Sequence, residues 1–295
     1  MSDMSLDPIS RLRRFNRAVV REAGALDTSF MGRGRPLGAA RVLHLVRPEG
    51  TDVAMIRAKL GLDSGLMSRF LRALEREHLI LTETDPADRR RGIARLTPAG
   101  QAEVAAYLAI IHDQASHILT RAGARADEVL TAMDLIATIL NRDQVEFRPT
   151  DPDAPEAQDC QRAYFAALEA RVPHAHAKDF PLPDPDADSY RPPLGLFLIA
   201  WSDEMPVACV ALKRLDATTG EVKRLWVAAS ARGQGLARRL MHAIEAEARA
   251  MNLRTLKLET NRVLTEAVAL YRSTGWADTA PFTDIPADTW LAKAL

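Results

Sequence analysis

Two glycines at the expected mouth of a helix constrain this chain more than any other feature. The segment Arg232-Gly233-Gln234-Gly235-Leu236-Ala237 follows an extended apolar run, 222–227. It precedes a stretch on which Leu236, Leu240, Ile244 and Ala248 share one helical face. Glycines in that place let the backbone approach a ligand while the first N–H groups of the helix point outward without partners. Those donors, and the positive end of the helix dipole, favour a phosphate. The pattern predicts a pyrophosphate bound at this point.

A nicotinamide or flavin dinucleotide is the obvious competitor. Gly233 and Gly235 supply its first two glycines, and Glu259 follows 24 residues after Gly235. The third glycine position is Arg238, however, where close helix–strand packing demands a very small residue. Five residues also separate the end of the strand from Gly233, whereas that fingerprint starts directly after its strand.

An ordered set of further segments points elsewhere. It comprises Glu221-Val222-Lys223-Arg224-Leu225-Trp226-Val227, the glycine loop, residues 256–261, and an amphipathic stretch from Ala267 that ends Leu270-Tyr271-Arg272-Ser273-Thr274-Gly275-Trp276. From about Pro193 to the C-terminus this set resembles the GNAT superfamily of N-acetyltransferases. The resemblance implies an α/β (α+β) domain with a mixed, splayed sheet, and acetyl-CoA as the cofactor. It places the CoA pyrophosphate on the amides from Gly233 through Gln234, Gly235 and Leu236 to Ala237, with Arg232 adding charge. Backbone at Leu225, Trp226 and Val227 would bond the pantetheine arm, with Asn261 as a further polar contact. Tyr271 would protonate the departing thiolate. Glu221 reads either as a group that binds or deprotonates the amine or as an ordinary edge charge paired with Lys223 or Arg224. Arg224 itself reads as a solvated strand residue.

The front half has another grammar, successive amphipathic helices. Asp52 caps a helix whose buried face is expected to carry Met55, Ile56 and Leu60, and Gly61 ends it. Asp63 or Ser64 caps a second helix, to Glu77, with Met67, Phe70, Leu71 and Leu74 as its apolar stripe. Two helices joined across Gly-Leu-Asp read as a helix-turn-helix. A hairpin from residues 79–83 and 92–97 follows, and then Thr97 and Pro98 open a long helix. The ensemble, with Asp85, Asp88, Arg89, Leu96, Thr97 and Gly100, resembles a MarR-type winged helix-turn-helix regulator. That family turns into its wing with Gly where this chain has His78, a residue able to adopt a left-handed turn at modest cost. The resemblance implies double-stranded operator DNA as partner, contacted by Ser64, Ser68, Arg69 and Arg72 on the recognition helix and by Arg89, Arg90 and Arg91 on the wing. It also implies a homodimer whose terminal helices, 8–23, 99–120 and 125–141, interlock.

At 295 residues the chain has room for two domains, and the Pro/Asp-rich run from Arg148 to Pro155 breaks helical periodicity between them. The expected division is 1–143, an α-rich winged-helix and dimerisation domain, and 144–295, the acetyltransferase. A second Pro/Asp-rich stretch, 180–193, reads equally as a cover over the amine site or as a plain connector. Residues 1–143 carry 21 Lys+Arg against 18 Asp+Glu, so DNA affinity must rest on local placement of charge. Cys160 and Cys209 form no CxxC, and His174-x-His176 lacks a third ligand, so no metal is expected. Without an apolar run of membrane-spanning length or a signal peptide, no membrane association is expected and a cytoplasmic location is. The two halves together resemble bacterial fusions of a MarR-type regulator with a GNAT N-acetyltransferase. Such a protein would acetylate an amine, either a small molecule or a lysine, as well as regulate transcription. An alternative is a ligand-responsive repressor whose second half only senses acyl-CoA, and another is a front half that only dimerises the enzyme.

Overall fold

The computed structural model describes residues 7–85, 87–88, 91–173, 175–283 and 287–295. Arg89 and Arg90 of the expected wing, and His174 of the His-x-His pair, lie outside the described residues. The chain forms two compact units, Met1–Gly123 and Ala124–Leu295.

In the first unit, α1 (Pro8–Glu22) and a short 3-10 turn (Phe30–Gly32) precede α2 (Leu37–Leu45), β1 (Thr51–Asp52), α3 (Val53–Leu60) and α4 (Ser64–Arg76). The hairpin β2 (Ile80–Thr84) and β3 (Gly92–Leu96) leads into α5 (Pro98–Ala122). Side-chain caps fix these starts. Asp52 accepts from the Ala54 N–H at 2.7 Å, Asp63 from Leu66 at 2.8 Å, and Thr97 from Gly100 at 3.0 Å. A Cβ on Gly100 would run into the Leu79 carbonyl, which explains the glycine after Leu96-Thr97. His78 does take the left-handed turn, with φ 56°. Val42, Leu43, Ile56, Met67, Leu74, Ile80 and Ala94 form the core.

Two sequence expectations need correction here. Met55 is 57% exposed, not buried. In a helix of only eight residues, Ile56 faces the core and Met55 sits about 100° away from it. Strand β1 was not expected: Thr51 and Asp52 pair with Ala94 and Ile93, which completes a three-stranded sheet in the order β1-β3-β2.

The second unit begins with α6 (Ala126–Leu140), which packs on a 3-10 turn at Ala229–Ala231. That packing groups α6 with the second unit, although the sequence placed the division after residue 143. Then come β4 (Glu146–Pro149), α7 (Pro155–Glu169), β5 (Gly195–Ser202), β6 (Met205–Arg214), β7 (Thr219–Val227) and α8 (Leu236–Ala250). The chain closes with β8 (Thr255–Thr260), α9 (Thr265–Ser273), β9 (Ala277–Asp278) and β10 (Thr289–Ala294). Among the described residues these strands form a seven-stranded sheet in the order β4-β5-β6-β7-β8-β10-β9.

Helices cover both faces of this sheet, so β5 is a continuous apolar run rather than an alternating one. Leu196, Leu198 and Ala200 pack with Leu240 and Ile244 of α8, while Phe197 and Ile199 pack with Ala157 and Cys160 of α7. β7 and β8 run parallel but pair only from Thr219–Thr255 to Glu221–Lys257. Beyond Glu221 the two strands continue without pairing, which leaves that edge of β7 open at Lys223–Val227. The sheet is therefore mixed and splayed.

Candidate functional site

The glycine loop opens a cavity of about 740 Å³. Gly235 occupies the N-cap position of α8 with φ 77°, and Gly233 has φ 74°, so both sit in the left-handed region that glycine enters without strain. Neither has an atom within 4 Å of the place a Cβ would fill. No side chain caps α8, and among the described residues the N–H groups from Gly233 to Ala237 have no protein acceptor. The loop is thus a set of bare donors at the positive end of a 15-residue helix. Arg232 ties it to the strand by donating to the Val227 carbonyl at 3.1 Å, and Gln234 donates to Ser230 at 3.0 Å.

Of the residues expected to hold a cofactor, Leu225, Trp226, Val227, Arg232, Gly233, Gly235, Leu236 and Ala237 line this cavity. Gln234 and Asn261 do not. Tyr164 and Leu168 of α7 form another wall, and Leu264, Ala267 and Leu270 at α9 close the far side. Arg171 and Glu266, which also line it, form a bidentate ion pair. The bond from Arg171 holds Glu266 well below the usual carboxylate range, at about 2, against the opposing effect of burial. Arg238, where a dinucleotide fold needs its third glycine, lines the cavity as well and donates to Ser273 at 3.1 Å.

Tyr271 lies on α9, 6% exposed, its ring 6.0 Å from that of Trp276. Burial pushes its phenol above the ordinary value, so the hydroxyl stays protonated across the neutral range. Tyr271 is not among the lining residues; it belongs to the core cluster against which Ala267 and Leu270 pack.

Glu221 is 1% exposed and sits on the central strand rather than at an edge. Its carboxylate meets Lys223 at 3.1 Å and Lys213 at 3.4 Å. Lys223 also reaches Glu259 at 2.6 Å, and Thr283 donates to that same carboxylate. Both Glu221 and Lys223 therefore belong to a buried charge row that crosses from β6 to β8. Arg224 is not a solvated strand residue: its guanidinium bonds Asp184 at 2.7 Å, and its side chain is 13% exposed. Sequence reasoning missed Lys213, Asp184, Tyr164 and the Arg171–Glu266 pair. Asp184 and Arg171 meet partners 40 and 95 residues away, and no local motif marks any of the four.

In the first unit, Arg69 and Arg72 are exposed on α4. Ser64 accepts from Arg57 at 2.6 Å, and Ser68 donates back to the Ser64 carbonyl at 2.9 Å. Arg91 is half exposed and bonds Asp52 at 2.8 Å, with Asp85 at 3.6 Å, so it braces the wing against the start of α3. The bond from Arg91 holds Asp52 below its ordinary value. Among the described residues no group of His, Cys, Asp and Glu is placed to hold a metal, and no helix is long and apolar enough to cross a membrane.

Comparisons with known proteins fall on the same two segments. Residues 142–276 match the acetyltransferase (GNAT) family model, and residues 39–100 match a winged helix DNA-binding domain. An IAA acetyltransferase of Azospirillum brasilense is 44% identical over 87 residues, which are 29% of this chain and 57% of that protein. The chain therefore spans little more than half of that relative's length. An uncharacterized N-acetyltransferase of Bacillus subtilis (strain 168), YsnE, is 33% identical over 113 residues, 37% of this chain and 75% of that one. Among solved structures, the PaiA N-acetyltransferase of Thermoplasma acidophilum in complex with coenzyme A aligns at 14% identity and TM-score 0.44, over 51% of this chain and 99% of that chain. The chain belongs to the GNAT acetyltransferase family through residues 142–276 and carries a winged helix DNA-binding domain in residues 39–100.

Proposed function

We propose that the protein is a cytoplasmic, bifunctional regulator: a MarR-type DNA-binding homodimer whose second domain transfers acetyl from acetyl-CoA to an amine. One observation carries the transferase reading, namely the bare amides from Gly233 to Ala237 opening onto a cavity walled by the unpaired edge of β7. A diphosphate suits those donors, and Arg232 and Arg238 add positive charge beside them. An extended amide chain suits the open N–H and C=O groups of Leu225, Trp226 and Val227. Acetyl-CoA would supply the activated acetyl thioester. Tyr271, kept protonated by burial, is the candidate proton donor to the leaving sulfur. Glu221 is the candidate group for receiving the acceptor's ammonium, and Asn261 a further polar contact near the end of β8.

In this reading residues 1–143 bind operator DNA through Ser64, Ser68, Arg69 and Arg72, with Arg89, Arg90 and Arg91 on the wing. The apolar stripe of α1, with Ile9, Leu12, Phe15 and Val19 all exposed, supports dimerisation by a second copy. Leu108 and Ile111 on α5 are exposed in the same way.

A sensing role without turnover is favoured by one feature, the two lysines that hold Glu221. Tyr271→Phe separates the two readings in a thiol-release assay over an amine library. A catalyst loses about 10–100-fold in kcat while its CoA affinity stays unchanged. A wild-type chain that binds CoA but acetylates no amine, with Tyr271→Phe indistinguishable from it, leaves only the sensor.

A further inference from the structure

Arg224 is the one residue of β7 with a positive φ, at 58°, and it lies where the β6–β7 register shifts between Cys209 and Ala211. A residue with a Cβ pays about 1–2 kcal/mol to sit there, so something must hold it. Three contacts do. The guanidinium bonds Asp184 through Nη2 at 2.7 Å and Nε at 3.3 Å. It lies 4.7 Å from the Phe165 ring centroid and 5.9 Å from that of Tyr164, which lines the cavity. Behind it, the Cys209 thiol donates to the Arg224 carbonyl at 3.2 Å. Asp184 is itself buried and belongs to a segment that Phe180 anchors by stacking on Phe165 at 4.5 Å. The bulge directly precedes Leu225, Trp226 and Val227, the backbone that lines the cavity.

We propose that Arg224 is a positioning residue: its clasp with Asp184 holds the β7 bulge in the left-handed conformation that turns the Leu225–Val227 edge toward CoA. The segment containing Asp184 is thereby fastened to the cofactor strand. This inference rests on the acetyltransferase reading. Its test separates the backbone from the side chain, because glycine adopts φ 58° freely and alanine does not.

The experiment is calorimetric titration of full-length wild type, Arg224→Gly, Arg224→Ala and Asp184→Asn with CoA. Arg224→Gly should bind within about twofold of wild type, since it needs no clasp, whereas Arg224→Ala and Asp184→Asn should each weaken binding by about fivefold or more. The double variant Asp184→Asn/Arg224→Gly should return to the Arg224→Gly value. Equal affinities for Arg224→Ala and Arg224→Gly overturn the inference even if Asp184→Asn fails to fold, as does an unchanged Asp184→Asn or an unrescued double variant. A wild-type chain that gives no heat with CoA overturns the acetyltransferase reading and this inference together.

Discussion

Helices α4 and α8 both follow a tight turn, yet their first turns are built in opposite ways. At α4 the Asp63 carboxylate accepts from the Leu66 N–H, so a negative side chain covers the helix's positive end. At α8 the corresponding position is Gly235, with no side chain, and the donors stay open. A capped helix has used one of its donors internally, and the capping carboxylate discourages an anion at its mouth. Under the proposed function it must address phosphate and bases through side chains such as Arg69 and Arg72. An uncapped helix beside a cavity can hold a diphosphate with backbone alone. The difference between a side-chain reader and a backbone cradle is thus written in one residue at each N-cap.

The largest expected effect comes from making α8 resemble α4. Gly235→Asp places a carboxylate over the cradle in a backbone conformation that aspartate adopts with strain. CoA affinity should fall about 100-fold, near 3 kcal/mol, by calorimetry. DNA retention should not change, and an affinity within twofold of wild type would erase the contrast between the helices.

Next in size, Arg69→Ala with Arg72→Ala should weaken operator binding about tenfold or more at moderate salt and flatten its salt dependence. CoA titration should be unaltered. Unchanged retention on DNA would mean the first domain only dimerises the enzyme.

A third prediction concerns pH. The Arg33 bond, opposed by burial and joined by Arg35, holds Glu103 at about 2, below its ordinary 4.5. A depressed folded value gives stability that is present above 4.5 and is lost as pH falls toward 2. Glu103→Gln should therefore cost the first unit about 2 kcal/mol at pH 7 and less than about half of that at pH 3, read from helical circular dichroism during melts. All four tryptophans, at 201, 226, 276 and 290, belong to the second unit, so their emission should ignore the substitution.

The smallest effect is Asp63→Ala, which removes the α4 cap at a cost of about 1 kcal/mol in the first unit's stability. CoA binding should be untouched. A helix end that loses nothing on this change would show that water serves the Leu66 donor equally well.

What the sequence disclosed follows from how local the signals are. The caps at Asp52, Asp63 and Thr97 and the Leu-Thr-x-x-Gly start of α5 each sit within a few residues, and the folded chain uses each as read, while the glycine loop opens α8 where the pattern put a helix mouth. The splayed sheet was legible only through resemblance, since pairing that stops at Glu221 leaves no mark in composition. Strand β1 escaped notice because two residues carry no period, and Met55 was misassigned because apolar character alone does not fix a face of a short helix. The clasp of Arg224 with Asp184 and the bond from Lys223 to Glu259 join residues 40 and 36 positions apart. Such pairs are settled by topology, and a single sequence offers no signal for them.

If bare amides at the start of α8 hold a diphosphate, calorimetry of the full chain must distinguish CoA from pantetheine. CoA should bind with a Kd on the order of micromolar, and pantetheine, which lacks the diphosphate, at least about 100-fold more weakly. Equal affinities for the two, or no heat from CoA at millimolar concentration, would rule out the backbone cradle.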